Sequence, residues 1–280
     1  MPMIIGTMSP HDISFAVDLA TSFGWATCAG WFRALLAHGP DGCFVARIGE
    51  RPVAMVTTTR YARSAWVGNL IVSPEKGKLG LGTALLEHAL DHLDALGVAT
   101  VHLDADPPGR RIYDRHGFLP RFLSRRFRLT GPTRDASTTA VALPRGDLAS
   151  IANLDRDAFG DDRLRLVRLL RVEADEAFAV WRARRVAGYA LVTVTNTGVH
   201  VGPWVAEDRD VAMDLLAAAD GFRGERTLSV GVAGPNRDAV ALLESRGFEE
   251  RPASLRMTRG ALADVGNCQR VFGIGNGAIG

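Results

Sequence analysis

Hydrophobic and polar positions along the chain change period several times, and each change marks an element. Residues 3–7 form a short apolar run that predicts a first strand. A helix follows to about Thr21 with Ser9 or Asp12 as its cap, and Trp25, Trp31, Phe32, Leu35 and Leu36 fit a second helix capped by Thr27. Residues 42–48 and 53–61 alternate as strands around the turn at 49–52, and Ala62-Arg63-Ser64 turns into the apolar stretch 65–72. That stretch stops at Ser73-Pro74, and a short glycine-rich loop leads into residues 83–96. There Leu86, Ala89, Leu90, Leu93 and Leu96 recur at three- and four-residue steps, one apolar stripe on a helix that Gly97 closes. Residues 98–103 read as a strand, 110–116 as a helix ending at Gly117-Phe118, and 118–129 as the strand that finishes the lobe.

Residues 131–139 have linker composition, and beyond them the pattern starts again. Asp147 caps a helix, 177–183, 188–195 and 199–205 are strands, 211–219 is helical and 226–232 is a strand. A helix capped by Asn236 ends in a second Gly-Phe, Gly247-Phe248, so the chain reads as two copies of one fold. The boundaries expected are 1–130, a linker at 131–140, and 141–280 with a glycine-rich tail that either packs across the lobes or is loose.

Composition narrows the class. At 280 residues, 47% hydrophobic and 23% charged, the chain is a globular protein with room for two cores. It has no apolar run of bilayer length and no signal-peptide pattern at its start, so no membrane is expected. Cys28, Cys43 and Cys268 are odd in number and far apart, which suits a reducing compartment, and the expected location is cytoplasmic. A net charge of +2 gives no general drive toward nucleic acid. Arg110, Arg111, Arg115, Arg121, Arg125, Arg126 and Arg128 cluster locally, but no aromatic stacking platform runs between them, and a solvated face is expected for most. His88 and His92 stand one helical turn apart without a third ligand, so no metal is expected.

The chemistry concentrates in the loop after Val72. Gly77, Gly80 and Gly82 let the backbone approach a ligand closely, the next helix opens with unpaired N–H groups at its positive end, and Lys76 and Lys78 add charge. By itself this loop fits an anion cradle and an ordinary strand-to-helix turn equally well. It is not a Walker loop, since Thr83-Ala84 follows Gly82 where Lys-Ser/Thr is needed. It is not a dinucleotide fingerprint either, since Leu85 stands where a third glycine belongs.

Three motifs in order, Val72-Ser73-Pro74, Gly77-Lys78-Leu79-Gly80-Leu81-Gly82 and Tyr113-Asp114-Arg115-His116-Gly117-Phe118, resemble the Gcn5-related N-acetyltransferase (GNAT) family. Gly77 departs from that pattern, which has Gln or Arg there. The resemblance implies an α/β (α+β) fold of two tandem GNAT-like domains, each a mixed, mostly antiparallel sheet flanked by helices. It implies acetyl-coenzyme A as co-substrate and a small-molecule amine as acceptor, joined by direct attack in a ternary complex, in a monomer or homodimer. Leu70, Ile71 and Val72 would bind the pantetheine arm, and Gly77 to Thr83 (with Lys78, Leu79, Gly80, Leu81 and Gly82) the diphosphate. Tyr113 stands where the family's general acid stands. Asp104 and Asp106, at a strand end bordering the pocket, and Glu50 in a turn are the candidate bases, with water as the alternative carrier and Asn69 unable to serve; Asp104 is the one carried forward. Trp25, Trp31 and Trp66 are candidate acceptor walls or plain core.

The second copy differs chemically. Its loop reads Ala206-Glu207-Asp208-Arg209-Asp210, with carboxylates where the first has glycines, and Leu243 replaces Tyr113. Loss of cofactor chemistry is expected there, leaving structure or acceptor binding. A non-catalytic acyl-coenzyme A sensor is the competing reading of the whole chain.

Overall fold

A computed structural model describes residues 3–77, 79–133, 137–146, 148–261 and 266–280. Lys78, Asp147 and linker residues 134–136 therefore lie outside the described residues. The first lobe runs β1 (Met3–Thr7), α1 (Ile13–Ser22), α2 (Ala29–His38), β2 (Cys43–Ile48), β3 (Arg51–Arg60), β4 (Ala65–Val72), α3 (Leu81–Ala95), β5 (Thr100–Ala105), α4 (Arg110–Arg115) and β6 (Leu119–Leu129). The second runs β7 (Val141–Ala142), α5 (Ala152–Phe159), α6 (Leu164–Glu173), β8 (Glu176–Arg182), β9 (Arg185–Thr195) and β10 (Gly198–Ala206). It continues with α7 (Arg209–Arg223), β11 (Leu228–Ala233), α8 (Arg237–Ser245), β12 (Glu249–Gly260) and β13 (Val271–Gly273).

Local chemistry explains most element ends. Asp12 accepts from the amide and hydroxyl of Ser9 at 2.8 and 2.9 Å, capping the turn that opens α1. Asn236 caps α8 by accepting from the Ala239 amide at 2.9 Å. Thr27 does not cap α2: Cys28 holds that position, and the Thr27 amide donates to Asn196 of the second lobe at 2.9 Å. Helix α6 is absent from the sequence expectations, although its buried Leu166, Val167 and Leu170 have helical spacing.

The strands join one sheet in the order β1-β2-β3-β4-β5-β12-β6-β11-β10-β9-β8-β7, with β13 pairing β10. The lobes thus exchange their last strands. β12 lies antiparallel to β5, setting Arg256 opposite Asp104 and Met257 opposite Leu103, while β6 lies against β11 with Phe127 opposite Val230. The expectation that 118–129 closes the first lobe's own sheet is corrected accordingly. The apolar reason is visible in the cores. Met257 packs with Leu85, Leu93 and Phe118 under α3, whereas Phe127 and Leu129 pack with Leu215 and Leu243 under α7 and α8. Each lobe's core is completed by a strand from the other.

On the opposite face, α1, α2, α5, α6 and the tail share a single core containing Phe32, Leu35, Leu166, Leu170, Ile274 and Ile279. Each such side chain contributes roughly 1.5–3 kcal/mol on burial. The lobes are therefore joined by apolar contact and ladder hydrogen bonds, and the exposed Arg33–Glu173 pair at 2.7 Å adds little. Among the described residues, no helix is long and apolar enough to cross a membrane.

Candidate active site

The site begins with a defect in β4. Against β3, Ile71 faces Met55 and Gly68 faces Thr57, so Asn69 and Leu70 together oppose Val56. Such a bulge bends and twists the strand. Asn69 takes it up with φ 50°, a left-handed conformation that Asn tolerates better than most residues, and its Nδ2 donates to Thr57 Oγ1 at 3.0 Å. Asn69 is thus a shape-setting residue, a role that the search for a base passed over. Below the bulge, β4 and β5 pair only at Ala65–Val101 and Trp66–His102. Above it they part, and the β5-facing edge of Leu70, Ile71 and Val72 has no strand partner among the described residues.

That edge runs directly into the glycine loop. After the single turn Pro74–Lys76, Gly80 sits at the N-cap of α3 with φ 72°, where an ordinary L residue is strained. The first helical bond is Ala84 N–H to the Gly80 carbonyl at 3.1 Å, so the amides of Leu81, Gly82 and Thr83 have no backbone partner among the described residues. At Gly82 an added Cβ would meet only Val72 at 3.6 Å and Ile112 at 3.9 Å. Packing does not require glycine there, and its absence of a side chain leaves the backbone bare. The loop therefore fits a diphosphate by its donors, its shape and the dipole of a 15-residue helix.

Tyr113, on α4, is 8% exposed and meets the Phe118 ring edge-on at 6.0 Å. Its hydroxyl makes no hydrogen bond among the described residues, and burial, reinforced by Asp106, holds its pKa well above the usual tyrosine value. It carries its proton at neutral pH.

Asp104 has a different surrounding from an open base. Its side chain is 1% exposed, Arg256 grips it through Nε at 2.6 Å and Nη2 at 3.0 Å, and Ser124 Oγ donates at 2.8 Å. The bidentate partner comes from the other lobe's strand, which is why the sequence does not reveal it. The three tryptophans are not brought together. Trp66 lies under the Arg256 guanidinium at 4.2 Å, whereas Trp31 meets His200 edge-on at 5.3 Å and the Trp25 carbonyl accepts from Asn196 at 3.2 Å. Trp25 and Trp31 pack against the shared inter-lobe core. His88 and His92 flank the Phe44 ring at 4.6 and 5.3 Å. Several cluster arginines are ion-paired, among them Arg125 with Glu250 and Arg126 with Asp106.

The second lobe repeats the geometry with its openings filled. β10 and β11 pair only at Val199–Leu228 and His200–Ser229. β13 lies in the gap above, pairing Trp204 with Gly273, while the Ile274 amide donates to Gly231 of β11 at 2.8 Å. At the start of α7 the Asp208 carboxylate accepts from the Val211 amide at 3.0 Å and pairs with Arg182. The chain's own strand and carboxylate thus stand where the first lobe offers an open edge and bare amides. The tail then crosses to the first lobe. His200 bonds the Gly275 carbonyl at 2.7 Å, Trp66 donates to that of Gly277 at 3.2 Å, Tyr61 to that of Ile279 at 2.6 Å, and Arg163 to that of Gly280 at 3.1 Å.

Comparison with known proteins agrees with this geometry. The family model described as acetyltransferase (GNAT) family matches residues 14–118, and one described as acetyltransferase (GNAT) domain matches 151–273. The chain is 25% identical over 63% of its length to the uncharacterized N-acetyltransferase YitH of Bacillus subtilis, covering 60% of that protein. It is 28% identical over 68% of its length to a mycothiol acetyltransferase of Sanguibacter keddieii, covering 56% of it. It therefore spans under two thirds of these relatives. A crystal structure of a protein from Pyrococcus horikoshii, assigned as an acetyltransferase without an established activity, superposes with a TM-score of 0.86 at 25% identity, covering 99% of this chain and 96% of that one. A tandem GNAT protein from the clavulanic acid biosynthesis pathway shares the fold, with a TM-score of 0.67 at 18% identity over 94% of this chain and all of that one (100%). With both halves matched and the sheet arrangement in hand, the chain belongs to the GNAT family, as a tandem of two GNAT domains.

Proposed function

We propose that the first lobe transfers an acetyl group from acetyl-coenzyme A to the amine of a small molecule by direct attack in a ternary complex. One observation carries this reading: a strand edge and the amides at a positive helix end, both without partners among the described residues, follow one another along one segment of chain. An amide-bearing arm ending in a diphosphate has complementary partners along that single segment. In this reading Leu70, Ile71 and Val72 hold the pantetheine arm, and residues 77–83 hold the diphosphate. The thioester carbonyl lies by the Ile71 amide, which stabilises the oxyanion as nitrogen attacks. Holding both substrates in line supplies most of the acceleration.

Tyr113 gives the departing thiolate its proton. The burial that raises the phenol also desolvates the thiolate and raises its proton affinity, so the two stay matched. Asp104 acts through Arg256, as a positioning group, and water removes the proton from the amine. The second lobe does not take the cofactor, because Asp208 and β13 occupy the equivalent places. The chain's three thiols, Cys28, Cys43 and Cys268, free of disulfides, suit a reducing, cytoplasmic setting.

Free-thiol release from acetyl-coenzyme A with a panel of amines tests the reading. Tyr113→Phe is expected to lower kcat by about 10²–10⁴ while leaving coenzyme A affinity unchanged. Coenzyme A binding with no thiol release from any amine would instead make the protein a sensor.

A further inference from the structure

On the face of the sheet opposite α3, strands β4, β5, β6 and β12 meet the α5–α6 turn and the tail around a cavity of about 220 Å³. It exists because the lobes exchange strands: His102 of β5 and Thr258 of β12 stand opposite each other in the ladder, and both line it. The cavity is separate from the candidate active site. None of its lining residues belongs to the open edge of β4, the glycine loop or α4. The tail stands between the two, with the Ala278 backbone 2.5 Å from where a Cβ on Gly68 would lie, and a Cβ on Gly280 only 2.6 Å from the Trp66 ring.

The walls are flat and mostly apolar. Trp66, Phe122 and Phe159 supply aromatic surface, and the Arg256 guanidinium lies 4.2 Å from the Trp66 ring and 5.2 Å from that of Phe122. Charge in the lining is balanced: Arg63, Arg121 and Arg256 are matched by Asp161, the Gly280 carboxylate and Asp104, which pairs with Arg256. Asp161 already accepts from the amides of Arg63 and Asp162 and from the Ser64 hydroxyl. One polar atom is left over. His102 is 8% exposed, its Nδ1 lies 2.9 Å from Thr258 Oγ1, and its Nε2 has no hydrogen-bond partner among the described residues. Burial first, then Arg256 and Arg121, bring its pKa down to about 4, so the ring is neutral at pH 7. A polar side chain this buried ordinarily has its nitrogens paired, and Nε2 calls for a partner from within the cavity.

We infer that this cavity is a second ligand site, taking an uncharged flat ring of phenol or indole size whose O–H or N–H donates to His102 Nε2. Nδ1–H then donates to Thr258 Oγ1, so both ring nitrogens are satisfied. Size agrees with this class: an apolar cavity of about 150 Å³ takes benzene, and the space here is about half as large again, enough for a fused ring or a few added atoms. Balanced charge disfavours an ionic ligand, which would enter without a free counter-charge. The site stands independently of the transferase reading, since the tail separates it from the open edge of β4.

The test uses the full chain and isothermal titration with phenol, indole, toluene and benzoate. Phenol or indole is expected to bind one to one with a dissociation constant below about 1 mM, the range open to ligands of about seven to nine non-hydrogen atoms. Toluene, which lacks the donor, and benzoate, which brings an unmatched charge, should bind more weakly. His102→Phe keeps a flat ring and removes the nitrogens. It should weaken phenol and indole by about 5- to 150-fold, the cost of leaving a donor unpaired, and leave toluene unchanged. In the parent chain the half-buried Cys268 lies in the lining, whereas the half-buried Cys28 does not. A bound ring should slow alkylation of Cys268, read by peptide mass, by about tenfold at about ten times the dissociation constant, with Cys28 unaffected. Saturating coenzyme A should change neither result. Absence of binding by phenol and indole, toluene or benzoate binding as tightly as phenol, or equal affinity in parent and variant overturns the site. So does an unprotected Cys268 or displacement by coenzyme A, and the Cys268 measurement needs no variant to fold.

Discussion

Gly80→Asp brings to the helix end of the first lobe the negative charge that Asp208 brings to that of the second. The N-cap position of α3 has φ 72°, a conformation Asp and Asn tolerate better than most residues, at a strain of about 1–2 kcal/mol. Asp208 caps from extended backbone, which position 80 does not have, so no cap offsets the strain and the fold should lose about that amount. The effect on an anion is larger. A carboxylate about 5 Å from a diphosphate charge repels it by roughly 0.8 kcal/mol in water and roughly 3 kcal/mol at the effective dielectric near a protein surface. Gly80→Asn has the same shape and bears the same strain without the charge, so the Asp-to-Asn difference isolates electrostatics. Isothermal titration with coenzyme A should show Gly80→Asp binding about 4- to 150-fold more weakly than Gly80→Asn. The gap should shrink when salt shortens the Debye length from about 10 Å at 0.1 M to about 3 Å at 1 M. Equal dissociation constants for the two variants at low salt, with both folded and melting alike, would refute the assignment of the diphosphate to this helix end.

Arg256→Met should destabilise the chain by about 3–5 kcal/mol, because Asp104 remains buried without its partner; adding Asp104→Leu should recover most of it, as urea denaturation can measure. Met257→Ala should cost about 2–5 kcal/mol and act on the first lobe, whose core Met257 fills, which hydrogen exchange along α3 would localise. Burial first, then Arg256 and Arg121, bring His102 down to about 4 from 6.5. A base whose pKa falls on folding contributes stability in full above the unfolded value, and that share is lost as pH drops from 6.5 toward 4. The loss amounts to about 3 kcal/mol, and His102→Gln should flatten that part of the urea-midpoint profile between pH 7.5 and 4.5. A residual acid loss should persist in the variant, since burial lowers His200 in the same direction.

The sequence alone determined which local shapes were available. An apolar stripe placed α3, the Asn236 cap and Gly-Phe end placed α8, the apolar stretch at 65–72 placed β4, and the repeated Gly-Phe and contrasting loops revealed two unequal copies. These features are encoded within a dozen or so neighbouring residues, where periodicity and capping act. Tertiary structure alone decided what crosses between the copies. Nothing near Asp104 announces Arg256, because their meeting depends on β12 entering the other lobe's sheet. The glycine-rich tail reads equally as a strap across the lobes or a loose end until β13 is seen in the gap between β10 and β11, with the carbonyls that follow it held from both lobes. Strand exchange is set by the total apolar surface that two incomplete cores can bury together, a sum over distant residues that no local pattern contains.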